Sequence, residues 1–203
     1  MVKVKVYVEG GSRGQLATKC RQGFSKFFKN AGLSGHMPSV VSCGSRNEAF
    51  NRFCTALEGS GSETIPILLV DSEDSAVNNG GPWLHLLSRD GWDRPEGARD
   101  EQAHLMVQCM ETWFLADVSA LEEFFGSGFR SSAIPPRSDI ENISKSDVLR
   151  QLKAASSGSR KREYHKGNHS FEILARIDPA SVIQRSPRAK LLIETLKSHL
   201  IPS

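Results

Sequence analysis

The chain has 203 residues, 38% of them hydrophobic and 24% charged, which is typical of a folded domain of ordinary size and excludes a disordered chain. It contains no run of about 18 apolar residues, so the sequence predicts no membrane span. The formal net charge is only +3, so a nucleic-acid site would need clustered basic residues or a bound metal to neutralise it.

Five elements are predicted in chain order in the first third of the sequence. They are a strand at 2–8, an amphipathic helix at 16–31 that stops at Gly32, a strand at 38–43, a helix that follows the capping box Ser45-x-x-Glu48, and a wholly apolar strand at 65–70. A strand that is apolar throughout is typical of the middle of a parallel sheet. The β-α-β-α-β order therefore predicts an α/β fold in which helices cover a parallel sheet.

The rest of the chain is predicted to be mostly helical. After a long polar connection at 75–102, the patterns predict a strand at 104–109, a helix at 110–125, an irregular segment at 126–142, a helix capped by Ser144, a short helix at 169–177 and a last helix that begins at Ser186-Pro187. We interpret residues 1–125 as an α/β core and residues 126–203 as a C-terminal, mostly helical extension packed on the same domain.

Acidic residues follow two of the predicted strands. Glu9 comes directly after the first strand, and Asp71-Ser72-Glu73-Asp74 follows the third. Ligand sites of parallel α/β sheets lie beyond the carboxyl ends of the strands, and neighbouring strands are about 4.8 Å apart. If these two strands are neighbours, Glu9, Asp71 and Glu73 can share one ion, and carboxylate ligands without His or Cys suit Mg²⁺ or Mn²⁺. Each acidic group taken alone is equally typical of a turn or a solvated loop.

Glycines follow Glu9 at the end of the first predicted strand. Gly10 and Gly11 carry no side chain, so a phosphate backbone could come close to them and meet backbone N–H groups, with Ser12 beside them. No G-K-[ST] follows, so the segment is not a Walker loop.

The two acidic segments also resemble a known family. Val6-Tyr7-Val8-Glu9-Gly10-Gly11 resembles the strand-Glu-Gly signature of TOPRIM domains, and Leu68-Leu69-Val70-Asp71-Ser72-Glu73 resembles their D-x-D motif with Glu in the second acidic place. The resemblance implies a TOPRIM-like (Rossmann-like) parallel sheet flanked by helices, and metal-dependent phosphodiester chemistry. It leaves open whether Glu73 or Asp74 is the closer metal ligand.

The whole chain, including residues 108–117 and Tyr164-His165-Lys166, resembles the domain of unknown function 4276 family. Members of that family are similar to the small TOPRIM partners of ABC/OLD-like ATPases in bacterial anti-phage defence operons. The resemblance thus implies an ATPase partner. The sequence lacks the tyrosine-bearing domain of a topoisomerase and the zinc module of a primase, which favours a nuclease.

Further candidate residues lie in the second half of the sequence. Glu111 follows the fourth predicted strand and is a candidate additional metal ligand, whereas Asp117 is a candidate helix cap. The segment Arg160-Lys161-Arg162-Glu163-Tyr164-His165-Lys166 is the densest basic patch. It could follow a phosphate backbone with Tyr164 stacked on a base and Lys166 offsetting charge on the scissile phosphate, or it could be a solvated loop.

These patterns lead to a hypothesis of a Mg²⁺-dependent nuclease subunit that acts on DNA or RNA, with Glu9 as general acid or base. Two alternatives remain: a non-catalytic assembly subunit, and a phosphatase or nucleotidyl transferase acting on small molecules. The four scattered cysteines form no C-x-x-C pair, which predicts a reducing, cytoplasmic compartment without disulfides or zinc. The patterns leave the oligomeric state open, a homo-oligomer included.

Overall fold

The structure, a computed structural model, describes residues 2–11, 13–59, 63–75 and 81–201. Its centre is a sheet of four parallel strands in the order β2-β1-β3-β4. The strands are β1 (Lys3–Val8), β2 (Ser39–Ser42), β3 (Thr64–Asp71) and β4 (Ala103–Met106). The predicted α/β fold with a parallel sheet is therefore confirmed.

Eight α-helices surround the sheet in the described part of the chain. They are α1 (Gly14–Phe28), α2 (Arg46–Gly59), α3 (Gly81–Asp90), α4 (Val118–Phe125), α5 (Lys145–Ser156), α6 (Lys166–Leu174), α7 (Pro179–Arg185) and α8 (Pro187–Leu200). A π-helical turn at Lys29–Leu33 continues α1, and short 3₁₀ helices lie at Asp100–Gln102, Met110–Ala116 and Ser131–Ala133. Across the described ranges, no helix has the length and apolar character needed to cross a membrane.

Helices cover both faces of the sheet. Successive residues of each strand point to opposite faces, so each strand contributes apolar side chains to a cluster on either side. Val6 and Leu69 belong to one apolar cluster, which includes residues of α1, α5 and α8. Tyr7 and Leu68, their neighbours in sequence, belong to a second cluster with residues of α2 and α3. Burial on both faces explains the apolar sequence of β3.

Most of the predicted helices occur, but four predictions need correction. The connection at 75–102 contains α3, in which Pro82 occupies the first turn, where a proline is tolerated. The helix predicted at 110–125 is divided by Asp117, whose side chain accepts a hydrogen bond from the Ala120 N–H and caps α4. The helix predicted at 169–177 begins three residues earlier and includes Gly167 and Asn168. Helix α7, capped by Asp178 with Pro179 at its start, was not predicted.

The strand order places a ligand-binding crevice at a defined point of the sheet. The chain runs from β1 outward to β2 on one side and then returns to β3 on the other side of β1. This reversal is a topological switch point, and ligands of open α/β sheets bind there, beyond the carboxyl ends of the strands. Glu9 and Asp71 occupy the ends of the two strands that flank it.

Candidate metal and phosphate site

Three carboxylates converge at the switch point. Glu9, Asp71 and Glu73 each offer one oxygen, and these oxygens lie within 4.8 Å of one another. The Glu9 N–H donates to the Leu69 carbonyl at 3.2 Å, which continues the pairing of β1 with β3 past Val8. Because β1 and β3 are paired in register, the residues that end them emerge side by side.

Hydrogen bonds hold Asp71 in one orientation. Its Oδ1 accepts from the Met110 N–H at 2.8 Å, and its own N–H donates to Oε2 of Glu9 at 3.4 Å. The side chain is buried, at the end of a strand covered on both faces. Oδ2 is the oxygen that faces the basic side of the site, at 3.6 Å from Nζ of Lys166.

Glu73 has a left-handed backbone with a φ of 68°, which is uncommon for a residue with a side chain. Its N–H donates to the Gln108 carbonyl at 2.7 Å, and its carboxylate pairs with Nζ of Lys145. Residues held in this region of the Ramachandran plot cluster at functional sites. The turn thus directs Glu73 toward Glu9 and Asp71 at the cost of local strain.

Asp74 does not join the carboxylate cluster, so the prediction that it is a ligand needs correction. Its side chain is 77% exposed, and its nearest basic partner is Arg89 on α3, at 3.6 Å. The left-handed turn at Glu73 turns the chain away from the site before Asp74. Of the two alternatives left by the sequence, the structure brings Glu73 to the cluster.

Glu111 lies in the wall of the site as a completely buried carboxylate, with 0% exposure. Its Oε1 accepts a hydrogen bond from the Tyr164 hydroxyl at 2.9 Å and lies 3.5 Å from Nζ of Lys166. Its Oε2 has no hydrogen-bond partner among the described residues. Glu111 is not one of the three carboxylates that meet within 4.8 Å, so the structure does not bring this predicted ligand into the cluster.

The position of Tyr164 contradicts the prediction that it stacks on a nucleic-acid base. It is only 3% exposed, and its hydroxyl is taken by Glu111. Burial, reinforced by the neighbouring Glu111, raises the pKa of Tyr164, so the hydroxyl stays protonated and donates. The basic residues before it lie at the surface, where Arg160 and Arg162 are exposed and Nζ of Lys161 lies 4.2 Å above the ring of Phe124.

The glycines after β1 are closely packed. The Gly10 N–H donates to the Gly44 carbonyl at 2.8 Å, and Gly44 donates back at 3.0 Å, so the Gly10 N–H is not free for a phosphate. A Cβ on Gly11 would lie 2.6 Å from Cβ of Cys20. The predicted phosphate contact is therefore wrong for the Gly10 N–H and stays a prediction for Gly11, and Ser12 lies outside the described residues.

Two basic residues at the site were missed in the sequence. Arg46, at the start of α2, forms a bidentate pair with Asp90, donates to the Asp71 carbonyl and lies 3.8 Å from Oε2 of Glu9. Its position after β2 was a usable signal, because β2 ends at the same edge as β1. Lys145, the partner of Glu73, comes from α5, and no sequence pattern connects these two residues.

Burial and mutual repulsion perturb the carboxylates. Burial raises the pKa of Asp71 to about 7, with Glu111 and Glu9 acting in the same direction and Lys166 against it. Burial also raises the pKa of Glu9, although Arg46 opposes the shift. Burial tends to lower the pKa of Lys166, but Glu111 and Asp71 outweigh it and hold that pKa above its usual range. The site therefore favours additional positive charge.

The converging carboxylates could hold a metal ion. Their oxygens are ligands of the kind that hard divalent cations such as Mg²⁺ and Mn²⁺ prefer. A cavity of about 150 Å³ opens beside them. This volume is small for an organic ligand but suits an ion or a phosphate group. Its lining consists of Glu9, Gly10, Gly44, Asp71, Met106, Met110, Lys166 and Phe171.

The chain belongs to the domain of unknown function 4276 family. The family model matches residues 8–197, a range that contains every residue of the site. Neither the curated proteins nor the solved structures yield a significant match.

Proposed function

We propose that this protein hydrolyses phosphodiester bonds in nucleic acid with the help of Mg²⁺ or Mn²⁺. The observation that carries the proposal is the convergence of Glu9, Asp71 and Glu73 within 4.8 Å at the switch point of the sheet. A carboxylate cluster with a cationic side chain at its mouth is suited to hold a metal ion and meet a phosphate group.

We further propose that the core is TOPRIM-like. The signature after β1 and the acidic motif after β3 stand on adjacent parallel strands, and their acidic side chains meet. This arrangement supports the resemblance, because a shared metal site requires both motifs at one edge. The glutamate in the second acidic place, Glu73, belongs to the cluster.

The residues of the site have complementary roles in the proposed reaction. Asp71 and Glu73 would hold the cation, which would supply positive charge to the phosphate oxygens. Glu9 accepts a proton from the attacking water, and its raised pKa improves its match to neutral pH. Lys166, at the mouth of the cavity, faces the negative charge that develops on the phosphate.

The proposed setting is an anti-phage defence complex in which an ABC/OLD-like ATPase restrains or delivers the nuclease. The family resemblance supports this setting. The sequence also contains no Walker motif, which is consistent with ATP binding by another chain. ATP binding would then come from the partner chain.

The test is cleavage of labelled DNA and RNA by the purified chain, alone and with its ATPase partner, in Mg²⁺ or Mn²⁺. Asp71→Asn and Glu9→Gln should each lower the cleavage rate by about 100-fold or more, as expected for loss of charge stabilisation in a transition state. Glu194→Gln is the matched control because this glutamate is 59% exposed on α8 and pairs with Lys190. Cleavage that persists in Asp71→Asn would refute the proposal.

A second candidate function is a non-catalytic assembly subunit, and one observation favours it. Lys145, Lys166 and Arg46 already lie close to the carboxylates, so the cluster has internal counter-charges. Under this alternative, no cleavage occurs with the partner present, and Mn²⁺ does not bind at the site. Titration calorimetry with Mn²⁺ separates the two functions.

A further inference from the structure

Lys166 bridges two carboxylates at the place where positive charge is most favoured. Its Nζ lies 3.6 Å from Oδ2 of Asp71 and 3.5 Å from Oε1 of Glu111. The side chain is nevertheless 56% exposed, so its aliphatic part is free to swing toward solvent. The ammonium group is thus in contact with both carboxylates on a movable side chain.

The two carboxylates, in contrast, cannot move. Glu111 is completely buried and accepts a hydrogen bond from the Tyr164 hydroxyl. The Tyr164 N–H in turn donates to Oγ of Ser156 at 2.7 Å. Asp71 is buried at the end of β3 and fixed through Oδ1 by the Met110 N–H. Any change at the bridge must therefore come from Lys166.

The Asp71 oxygen that faces Lys166 is also the less engaged of the two. Oδ1 of Asp71 accepts a hydrogen bond from the Met110 N–H, whereas Oδ2 accepts none among the described residues and lies 3.6 Å from Nζ of Lys166. A divalent ion held by Asp71 and Glu73 would repel the lysine ammonium that contacts Asp71. Oε2 of Glu111 has no partner among the described residues, so this carboxylate depends on Tyr164 and Lys166 through Oε1.

We propose that Lys166 is an internal counter-ion that a divalent cation displaces from Asp71. The ammonium then moves outward on its exposed side chain, where it can meet the phosphate of a bound substrate. The proposal deepens the proposed function and rests on its metal site, but it concerns an exchange of charges that takes place without any cleavage. Lys166 thus offsets the charge of the two carboxylates when the cation is absent.

The test is the affinity for Mn²⁺, measured by titration calorimetry on the wild type and on Lys166→Met. Removal of the competing lysine charge should tighten Mn²⁺ binding by about fivefold to thirtyfold. This range follows from the Coulomb energy between charges about 4 Å apart in water and from the strength of partly exposed ion pairs. The control is Lys190→Met, because Lys190 is 58% exposed and pairs with a single carboxylate, Glu194, at 3.8 Å. Its Mn²⁺ affinity should equal that of the wild type.

A thermal-shift series provides a second measurement if Lys166→Met is poorly folded. Mn²⁺ should raise the melting temperature of Lys166→Met more than that of the wild type, because the carboxylates of the variant lack their counter-ion. Equal or weaker Mn²⁺ binding and an equal or smaller thermal shift in Lys166→Met would overturn the exchange.

These outcomes are distinct from failure of the proposed function. If the wild type binds Mn²⁺ through Asp71 but Lys166→Met binds it no better, only the exchange fails. If Mn²⁺ binding follows the expected order but no nucleic acid is cleaved, the exchange stands and the nuclease proposal fails. Absence of Mn²⁺ binding in every variant would remove both.

Discussion

The hydroxyl of Tyr164 is the group that fixes Glu111 within the wall of the site. Glu111 has no contact with solvent, so the cost of burying its charge must be offset by hydrogen bonds and by Lys166. The sequence placed Tyr164 in a basic surface segment, but the aromatic ring lies inward while its basic neighbours lie outward. Whether a tyrosine stacks on a ligand or supports a buried carboxylate depends on that orientation.

Replacement of Tyr164 by phenylalanine should destabilise the protein. Tyr164→Phe leaves both oxygens of Glu111 without a hydroxyl donor, and an unsatisfied buried charged group costs about 1–3 kcal/mol or more. Chemical denaturation would measure the loss. The matched control is Tyr7→Phe, at the other tyrosine of the sequence, whose hydroxyl makes no hydrogen bond within the described ranges; its free energy of unfolding should change by less than about 0.5 kcal/mol. Equal effects in the two variants would contradict the role of the Tyr164–Glu111 bond.

At the scale of elements, the turn between β1 and α1 controls where Glu9 lies. Gly10 forms a two-way backbone bridge with Gly44, so the turn is tied to the segment that follows β2. Gly11 has a φ of 62° and packs so closely that an added Cβ would lie 2.6 Å from Oγ of Ser42. The Ser42 hydroxyl also donates to the Gly10 and Gly11 carbonyls, at 2.9 and 2.6 Å. Close packing is the reason for these glycines.

Two alanine substitutions separate the packing of this turn from its backbone conformation. Gly14 has a φ of 54°, and an added Cβ there would have no atom within 4 Å, so Gly14→Ala should cost only the left-handed conformation, about 1 kcal/mol. Gly11→Ala adds steric overlap in a packed interior and should cost about 1–3 kcal/mol more. Thermal and urea unfolding of the two variants test the difference. A Gly11→Ala variant as stable as Gly14→Ala would show that the turn is loosely packed.

On the scale of the whole molecule, one apolar cluster includes residues from both halves of the chain. Phe27 of α1 stacks on Trp113 with ring centroids 5.1 Å apart, and Leu152 of α5 and Leu196 of α8 belong to the same cluster.

His104 on β4 is also buried, and its Nε2 lies 3.0 Å from the Glu101 carbonyl. Burial lowers the pKa of His104 to about 4, and the positive charges of Arg188 and His199 on α8 act in the same direction.

The contribution of His104 to stability should therefore decrease as the pH falls from 6.5 to about 4, while the raised pKa of Asp71 acts in the opposite direction. In this window the unfolded chain takes up a proton on His104 but the folded chain does not, so protonation favours unfolding. A pKa shift of this size corresponds to about 3 kcal/mol of stability. This contribution is present above pH 6.5 and is lost as the pH falls toward 4. Urea unfolding at several pH values, compared between the wild type and His104→Gln, measures this contribution.

The difference in unfolding free energy between the wild type and His104→Gln should shift in favour of the variant as the pH falls from 6.5 to about 4. Burial also lowers the pKa values of His169 and His199, which contribute in the same direction. Identical pH profiles for the wild type and the variant would show that His104 does not titrate in the expected window.

Local patterns in the sequence determined the helices and strands that have clear periodicity and end signals. The strand that ends at Glu9, the apolar strand before Asp71, and the helices capped by Ser45, Ser144 and Ser186 all occur where these signals place them. Their order also determined the parallel sheet, because β-α-β units wind in one direction. That Glu9 and Asp71 end strands at the same edge follows from this winding.

Only the tertiary structure decided which side chains complete the site. Lys145 on α5, Arg46 on α2 and Tyr164 in the segment before α6 reach it from three distant parts of the chain, and their contacts depend on how these parts pack. Glu73 has a left-handed backbone, and its side chain joins the cluster whereas that of Asp74 does not. Its N–H donates to the carbonyl of Gln108, a residue distant in the sequence. Sequence periodicity reports which face of an element is apolar, but not which distant residue will lie against it. Of the counter-charges, Lys166 was predicted from the sequence, whereas the pairing of Lys145 with Glu73 depends on such a distant contact and was not.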